Sequence, residues 1–287
     1  MALRPLLHRR PIVAVLTGLL ACAAAAPALA ASPAAGAVRA ASARQTASAA
    51  SPAQYVALGD SYSSGLGAGN MIGSSHSCDR SRVAYSALWA KANMAASYTF
   101  VACAGATTHS LLTHQVQALS RRTTLVSLTI GGNDTGFQPV LQTCILGSTR
   151  ICVGAIAIAE HVAARRLPGR LHTVFGAIKA AAPAARVVVL DYPLLFDLAR
   201  PACVPGLSHR DEVELNRAGN VLDGVIGAAA ARSGDVFADV RGQFRHHQIC
   251  DGSSWIHGIA VFNMERSFHP TAAGQRLGYL PVLSRKA

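Results

Sequence analysis

Short apolar runs and longer helical patterns alternate along most of this chain. Five runs of β-branched and other apolar residues, at 55–58, 98–102, 125–130, 187–191 and 236–239, are bounded by turn residues. Each reads as a buried strand. Between them, apolar positions recur at helical spacing. The pattern predicts helices over 84–95 and 108–120, a long helical stretch over 155–182 divided at Pro168, and a helix over 211–232. Ser208 stands where that helix needs a cap, and Gly234 where it must stop. A last helix is expected to begin at Pro270, since proline suits the first helical position. Strands alternating with helices argue for an α/β fold: a three-layer α/β/α sandwich on a five-stranded parallel sheet. Segments 66–80, 137–154 and 243–265 read as irregular. Their residues Phe137, Leu141, Leu146, Trp255, Ile259 and Phe262 offer apolar surface for walling a cleft, with Trp255 a candidate for its lip.

The first 52 residues stand apart from this pattern. Arg4, His8, Arg9 and Arg10 form a basic start, and an apolar stretch runs from Ile12 to about Ala26. Ala28-Leu29-Ala30 then supplies the small-x-small signature of signal-peptide cleavage. Residues 1–30 are therefore expected to be a signal peptide cut near Ala30, giving a secreted protein. Leu19-Leu20-Ala21-Cys22 is a poor lipoprotein box, and anchoring at Cys22 is the weaker alternative. Residues 31–52, rich in Ala, Ser and Pro, contain nothing to build a core from and read as a disordered leader. Residues 53–287 then form one domain, and no later run is apolar and long enough to span a bilayer.

Charge changes the picture little. The formal net charge is +12, and loss of residues 1–30 removes three arginines and no acid, leaving +9. The basic residues are scattered, apart from pairs such as Arg121-Arg122 and Arg165-Arg166. Nothing resembles a nucleic-acid motif, so nucleic acid is not an expected partner. A bias toward anionic interfaces, with transient lipid contact, is compatible with the charge. Cysteine says more. Cys22 leaves with the signal peptide, and Cys78, Cys103, Cys144, Cys152, Cys203 and Cys250 remain. An even number in an exported chain implies disulfides. Six cysteines allow about fifteen pairings, among which the sequence does not choose. A zinc site is the rival reading, but no pair has Cys-x-x-Cys spacing.

The candidate chemistry sits at strand ends. Gly59-Asp60-Ser61 follows the first apolar run, so a hydroxyl emerges at the carboxyl edge of the sheet, where open α/β folds place their sites. Gly131-Gly132-Asn133-Asp134 follows the third run and brings an amide donor to the same edge. Ser267-Phe268-His269-Pro270 lies near the C-terminus, with a histidine able to act as base and acid. Taken singly, each is an ordinary turn or one of eleven histidines.

Taken together, these blocks resemble the SGNH hydrolases, the GDSL esterases and lipases. Gly59, Asp60 and Ser61 match the first block, Gly105 the glycine block, Gly131, Asn133 and Asp134 the third, and His269 the last. The resemblance spans essentially all of 53–287 and implies a flavodoxin-like SGNH fold. It implies Ser61 as nucleophile, His269 as base, and an oxyanion hole from the Ser61 and Gly105 N–H groups and the Asn133 side chain. It implies no cofactor and no metal. Secreted actinobacterial members suggest the pairing Cys78–Cys103, Cys144–Cys152 and Cys203–Cys250.

One position departs from the pattern. The family usually places aspartate three residues before the histidine, where this chain has Arg266. The resemblance then implies a dyad, with the Ser267 backbone carbonyl orienting His269. Recruitment of Glu265 or Asp251 is left open. The expected activity is a secreted lipase or esterase acting through an acyl-enzyme, on an ester or lipid substrate, as a monomer. Phospholipase A1 and polysaccharide acetyl esterase are the alternatives on the same chemistry. A non-catalytic binding protein is the alternative from another class, and the joint presence of Ser61, Gly105, Asn133 and His269 argues against it.

Overall fold

The computed structural model describes residues 52–287. The expected signal peptide, Cys22, the cleavage point near Ala30 and the leader up to residue 51 lie outside the described residues. Five strands form one sheet: β1 (Gln54–Ala57), β2 (Ser97–Phe100), β3 (Leu125–Leu128), β4 (Arg186–Leu190) and β5 (Val236–Ala238). Their order is β2-β1-β3-β4-β5, and every pairing is parallel. This is the doubly wound order whose ligand crevice opens where the chain switches direction, between β1 and β3.

Alternation along each strand divides the interior into two cores. Tyr55, Ala57, Leu125, Val188 and Leu190 face one. Val56, Val126, Leu128, Val187 and Val189 face the other. Both faces are covered, which is why the strands read as continuous apolar runs. The first core is closed by α2 (Tyr85–Ala92) and by the C-terminal α9 (Leu280–Lys286), through Tyr85, Trp89 and Leu283. The second is closed by α3 (Thr108–His114), α6 (Leu167–Ala181) and α7 (His209–Ser233), through Leu111, Phe175 and Ile226.

Local chemistry sets the helix ends. In α7 the Ser208 Oγ accepts from the Asp211 N–H at 3.2 Å, while the Asp211 carboxylate accepts from the Ser208 N–H at 2.9 Å. This reciprocal cap lies where the sequence placed it, and Gly234 ends the helix at φ +71°. The long helical stretch divides as α5 (Thr149–Arg165) and α6, with Pro168 in the first turn of α6.

Three expectations fail. Segment 137–154 is not irregular: it holds α4 (Phe137–Leu146) and the start of α5. Pro139 falls in the first turn of α4, where its missing N–H costs nothing, and the Cys144–Cys152 disulfide ties the two helices together. The helix expected over 108–120 ends early, with a 3₁₀ turn at Val116–Ala118. The break falls at Gln115, at φ −117°, whose side-chain amide accepts from the Gly59 N–H at 2.7 Å and donates to the Gly59 carbonyl at 2.9 Å. The last helix does not begin at Pro270, which pairs in a bridge with Ile256. Thr271 caps it instead, its Oγ1 accepting from the Gly274 N–H at 3.2 Å, and a π-helical turn (Gly274–Tyr279) leads into α9.

The remaining cysteines pair as Cys78–Cys103 and Cys203–Cys250. Both bridges secure long connections: residues 66–80 onto the turn after β2, and the segment after β4 onto the loop that leads toward His269.

Candidate active site

The site begins with a turn that only glycine fits. Gly59 follows β1 at φ +120°, and a Cβ there would lie 2.5 Å from the Thr129 carbonyl oxygen. The turn delivers Ser61 to the first position of the short helix α1 (Ser61–Ser64). Asp60 caps that helix by accepting from the Tyr62 N–H at 3.1 Å. Its carboxylate also accepts from Thr129 Oγ1 at 2.6 Å and from the Tyr192 hydroxyl. Burial pushes the Asp60 carboxyl up to about 6 despite these bonds.

His269 arrives from the loop before the last helix. Its Nε2 lies 2.8 Å from Ser61 Oγ, and its Nδ1 lies 2.9 Å from the Ser267 carbonyl oxygen. A carbonyl can only accept, so Nδ1 carries the proton and Nε2 is left to accept from the serine. Phe268, at φ +63°, makes the backbone turn between the two. Left-handed geometry is uncommon for such a residue and costs of order 1–3 kcal/mol. Two contacts offset it: the Phe268 ring is buried, and its carbonyl accepts from the Tyr62 hydroxyl at 2.6 Å. The Tyr62 ring lies beside the imidazole, 5.2 Å between centroids. Burial pushes the His269 imidazolium down to about 4, with the Ser267 carbonyl opposing the shift.

No carboxylate bonds to His269 among the described residues. Arg266 donates to the Gly67 carbonyl at 3.1 Å. Asp251 accepts from the Gln248 N–H at 2.9 Å, closing its own turn. Glu265 is exposed.

The donor groups converge from two further strand ends. Gly105 follows β2 at φ +76°, in a turn held to the first block by a Cys103 N–H to Gly59 carbonyl bond of 3.0 Å. Among the described residues, neither the Ser61 nor the Gly105 N–H has a hydrogen-bond acceptor. Asn133 follows β3, and its amide donates to the Ala106 carbonyl at 3.0 Å, leaving its second N–H available. Asp134 points away, accepting from Thr108 Oγ1 at 2.5 Å and pairing with Arg170 at 3.0 Å.

An apolar pocket opens beside Ser61. Asn133 and Tyr192 line it together with Ser61, as do Phe137 and Val140 of α4 and Leu215 and Leu222 of α7. Of the six apolar residues expected to wall a cleft, Phe137 lines this pocket. Leu141 is buried in the core, and Leu146 and Phe262 are exposed. Ile259 packs partly buried against the core. Trp255 does not line this pocket; its ring stacks on His247 at 3.6 Å. Sequence reasoning missed Tyr62, Gln115 and Tyr192. Tyr62 adjoins the nucleophile block, and Tyr192 lies just past β4, so polar residues beyond each strand end were the available signal. Among the described residues, no cluster of three His, Cys, Asp or Glu side chains could hold a metal ion.

A serine hydroxyl joined to a carbonyl-oriented imidazole, at the carboxyl edge of this sheet, is the arrangement of a carboxylic ester hydrolase of the SGNH fold. Comparison with known proteins supplies the family. The profile of the GDSL-like lipase/acylhydrolase family matches residues 57–277, and the chain belongs to that family. It is 47% identical over 233 residues to Lipase 1 of Streptomyces coelicolor, covering 81% of this chain and 86% of that one. The solved phospholipase A1 of Streptomyces albidoflavus is 47% identical, with a TM-score of 0.80, and the match covers 82% of this chain and all of that one. The extracellular lipase of Streptomyces rimosus is 44% identical, with a TM-score of 0.79 over 81% of this chain and 99% of that one.

Proposed function

We propose that residues 53–287 are the catalytic domain of an exported lipase that cleaves long-chain acyl esters through a Ser61–His269 dyad. The observation that carries this reading is the 2.8 Å contact between Ser61 Oγ and His269 Nε2, with Ser61 lining an apolar pocket. His269 takes the Ser61 proton as the oxygen attacks the ester carbonyl. The Ser61 and Gly105 N–H groups and the free N–H of Asn133 hold the developing oxyanion. Collapse of the tetrahedral species expels the alcohol, which leaves with the proton from His269. Water, deprotonated by the same imidazole, then attacks the acyl-enzyme and releases the acid. The Ser267 carbonyl holds the tautomer throughout.

Apolar walls on α4 and α7 favour the hydrocarbon chain of a fatty acyl group over a polar carbohydrate. Phospholipase A1 activity is the second reading, favoured by the 47% identity to an enzyme of that name. Export is supported by the signal-like residues 1–30, by three disulfides and by the extracellular relative. Dyad and pocket come from one chain, which supports action as a monomer.

The test is a hydrolysis panel on one preparation: short p-nitrophenyl esters, long-chain triglyceride, phospholipid micelles and acetylated xylan. Ser61→Ala should lose essentially all turnover and should no longer be labelled by an activated phosphonate. Near-wild-type activity in a clean Ser61→Ala preparation would refute the mechanism. Preference for acetylated xylan would refute the substrate class.

A further inference from the structure

His269 sits at the base of a closed loop. Ile256 bridges Pro270, the His257 N–H donates to the His269 carbonyl at 3.0 Å, and the Phe268 N–H donates to the His257 carbonyl at 2.9 Å. Higher up, the Ala260 N–H donates to Ser267 Oγ at 2.9 Å, and the Ser267 N–H donates to the Met264 carbonyl at 3.1 Å. His257 and Arg266 both bond to the Gly67 carbonyl, at 2.9 and 3.1 Å, so a second segment braces the base.

The tip has the opposite character. Val261 is 73% exposed, Met264 60%, and Phe262 105%, the most exposed large apolar side chain among the described residues. Asn263, between them, is uncharged. Solvated single apolar residues are ordinary, but three together on one braced tip mark a contact surface.

We infer that the Val261–Phe262–Met264 tip inserts into the surface of aggregated ester lipid and seats the open side of the dyad on it. The inference rests on the lipase reading above. What selects lipid is the position of the tip. The tip belongs to the same braced loop as His269: Ala260 bonds Ser267, whose carbonyl holds the imidazole that meets Ser61. A lipid surface is the one occupant that brings the scissile ester with it, and the pocket beside Ser61 can draw the acyl chain out of that surface. The positive formal charge adds attraction where the lipid is anionic.

The experiment uses the full mature protein carrying Ser61→Ala, so that vesicles survive. Sedimentation with phosphatidylcholine vesicles, with and without phosphatidylglycerol, measures partitioning. Adding Phe262→Ser should lower it by about tenfold or more, and Val261→Ser/Phe262→Ser/Met264→Ser should abolish it on both compositions. With Ser61 restored, kcat/KM on soluble p-nitrophenyl butyrate should stay within about twofold of wild type, as for surface changes generally. Hydrolysis of vesicle lipid should fall with the partitioning. Unchanged partitioning overturns the inference, as does a wild-type tip that ignores both vesicles. A parallel collapse on the soluble ester also overturns it, since the tip would then serve only to shape His269. Failure of the lipase reading is seen separately, as full soluble-ester turnover by Ser61→Ala or none by wild type.

Discussion

Ser267 offers His269 a neutral carbonyl where the family usually offers a carboxylate. That difference has a measurable consequence. In the serine-protease triad, converting the aspartate to its amide lowers kcat about 10⁴-fold. Here the acceptor is backbone, so Glu265→Gln and Asp251→Asn should each retain most activity on a soluble ester. A loss approaching the triad value in either would show that the acid joins the dyad during turnover. Ser267→Ala keeps the carbonyl and loses only the hydroxyl that accepts from Ala260. It should cost about 1 kcal/mol of stability or less, with a modest drop in rate. The pH profile follows from the same geometry. Protonated His269 cannot take the Ser61 proton, so activity is lost as pH falls through the histidine's own ionisation. Burial pushes that down to about 4. The acid limb of kcat/KM should therefore lie below the ordinary histidine value of about 6.5. An apparent value of 7 or above would require an anion near the ring.

At the scale of elements, Tyr192 joins three strand ends. It follows β4, its hydroxyl donates to Asp60 beyond β1, and it accepts from the Gly132 N–H beyond β3 at 3.1 Å. One phenol thus fixes the nucleophile turn against the loop that carries Asn133. Tyr192→Phe should lower kcat more than it changes KM, because it loosens the donors without emptying the pocket. It should also cost about 1–3 kcal/mol of stability, since Asp60 and the Gly132 N–H each lose a partner. An unchanged kcat with a raised KM would make Tyr192 a substrate contact only. This tie also shows where the sequence stops being readable. β1, β3 and β4 were legible because buried apolar runs ended in glycine turns or polar residues. That β4 lies next to β3 depends on sheet order, which no local pattern encodes, so Tyr192 had no visible partner. Ser61 and His269 were legible through family motifs, whereas the alternation of apolar positions would have left them as two turns. α4 was hidden by Pro139 and by neighbouring Gly147, which look like breakers until one falls in a first turn and the other between helices.

For the whole molecule, buried carboxylates set how stability follows pH. Asp191, past β4, and Asp223, on α7, are both buried, and their outer oxygens lie 3.5 and 3.8 Å from Arg241 Nε without a hydrogen bond. Arg241 spends its best contact, 2.6 Å, on Asp239. One shared guanidinium cannot neutralise two enclosed carboxylates, so burial holds both above the usual carboxylate range, with repulsion from Asp239 adding at Asp191 and from Asp191 adding at Asp223. An acid whose folded-state value is raised stabilises the fold fully below the unfolded value of about 3.9. That contribution is lost as pH rises through the folded value. His269 runs the other way: lowered in the fold, it favours folding above about 6.5 and loses that as pH falls toward 4. Burial also raises Asp60 and Asp235, each to about 6, so wild type alone cannot isolate this pair. Asp191→Asn can. The amide keeps the acceptor that takes the Val240 N–H at 2.7 Å and puts a permanent donor where the neutral carboxyl holds its proton. The variant should match wild type or fall slightly below it at pH 5. It should become relatively more stable as pH rises to 8, by about 1 kcal/mol or more, or ~2–4 °C in Tm for a domain of this size. Thermal unfolding of both proteins across that range measures the difference. A difference that does not change with pH would mean that Arg241 already neutralises the pair and no proton is held there.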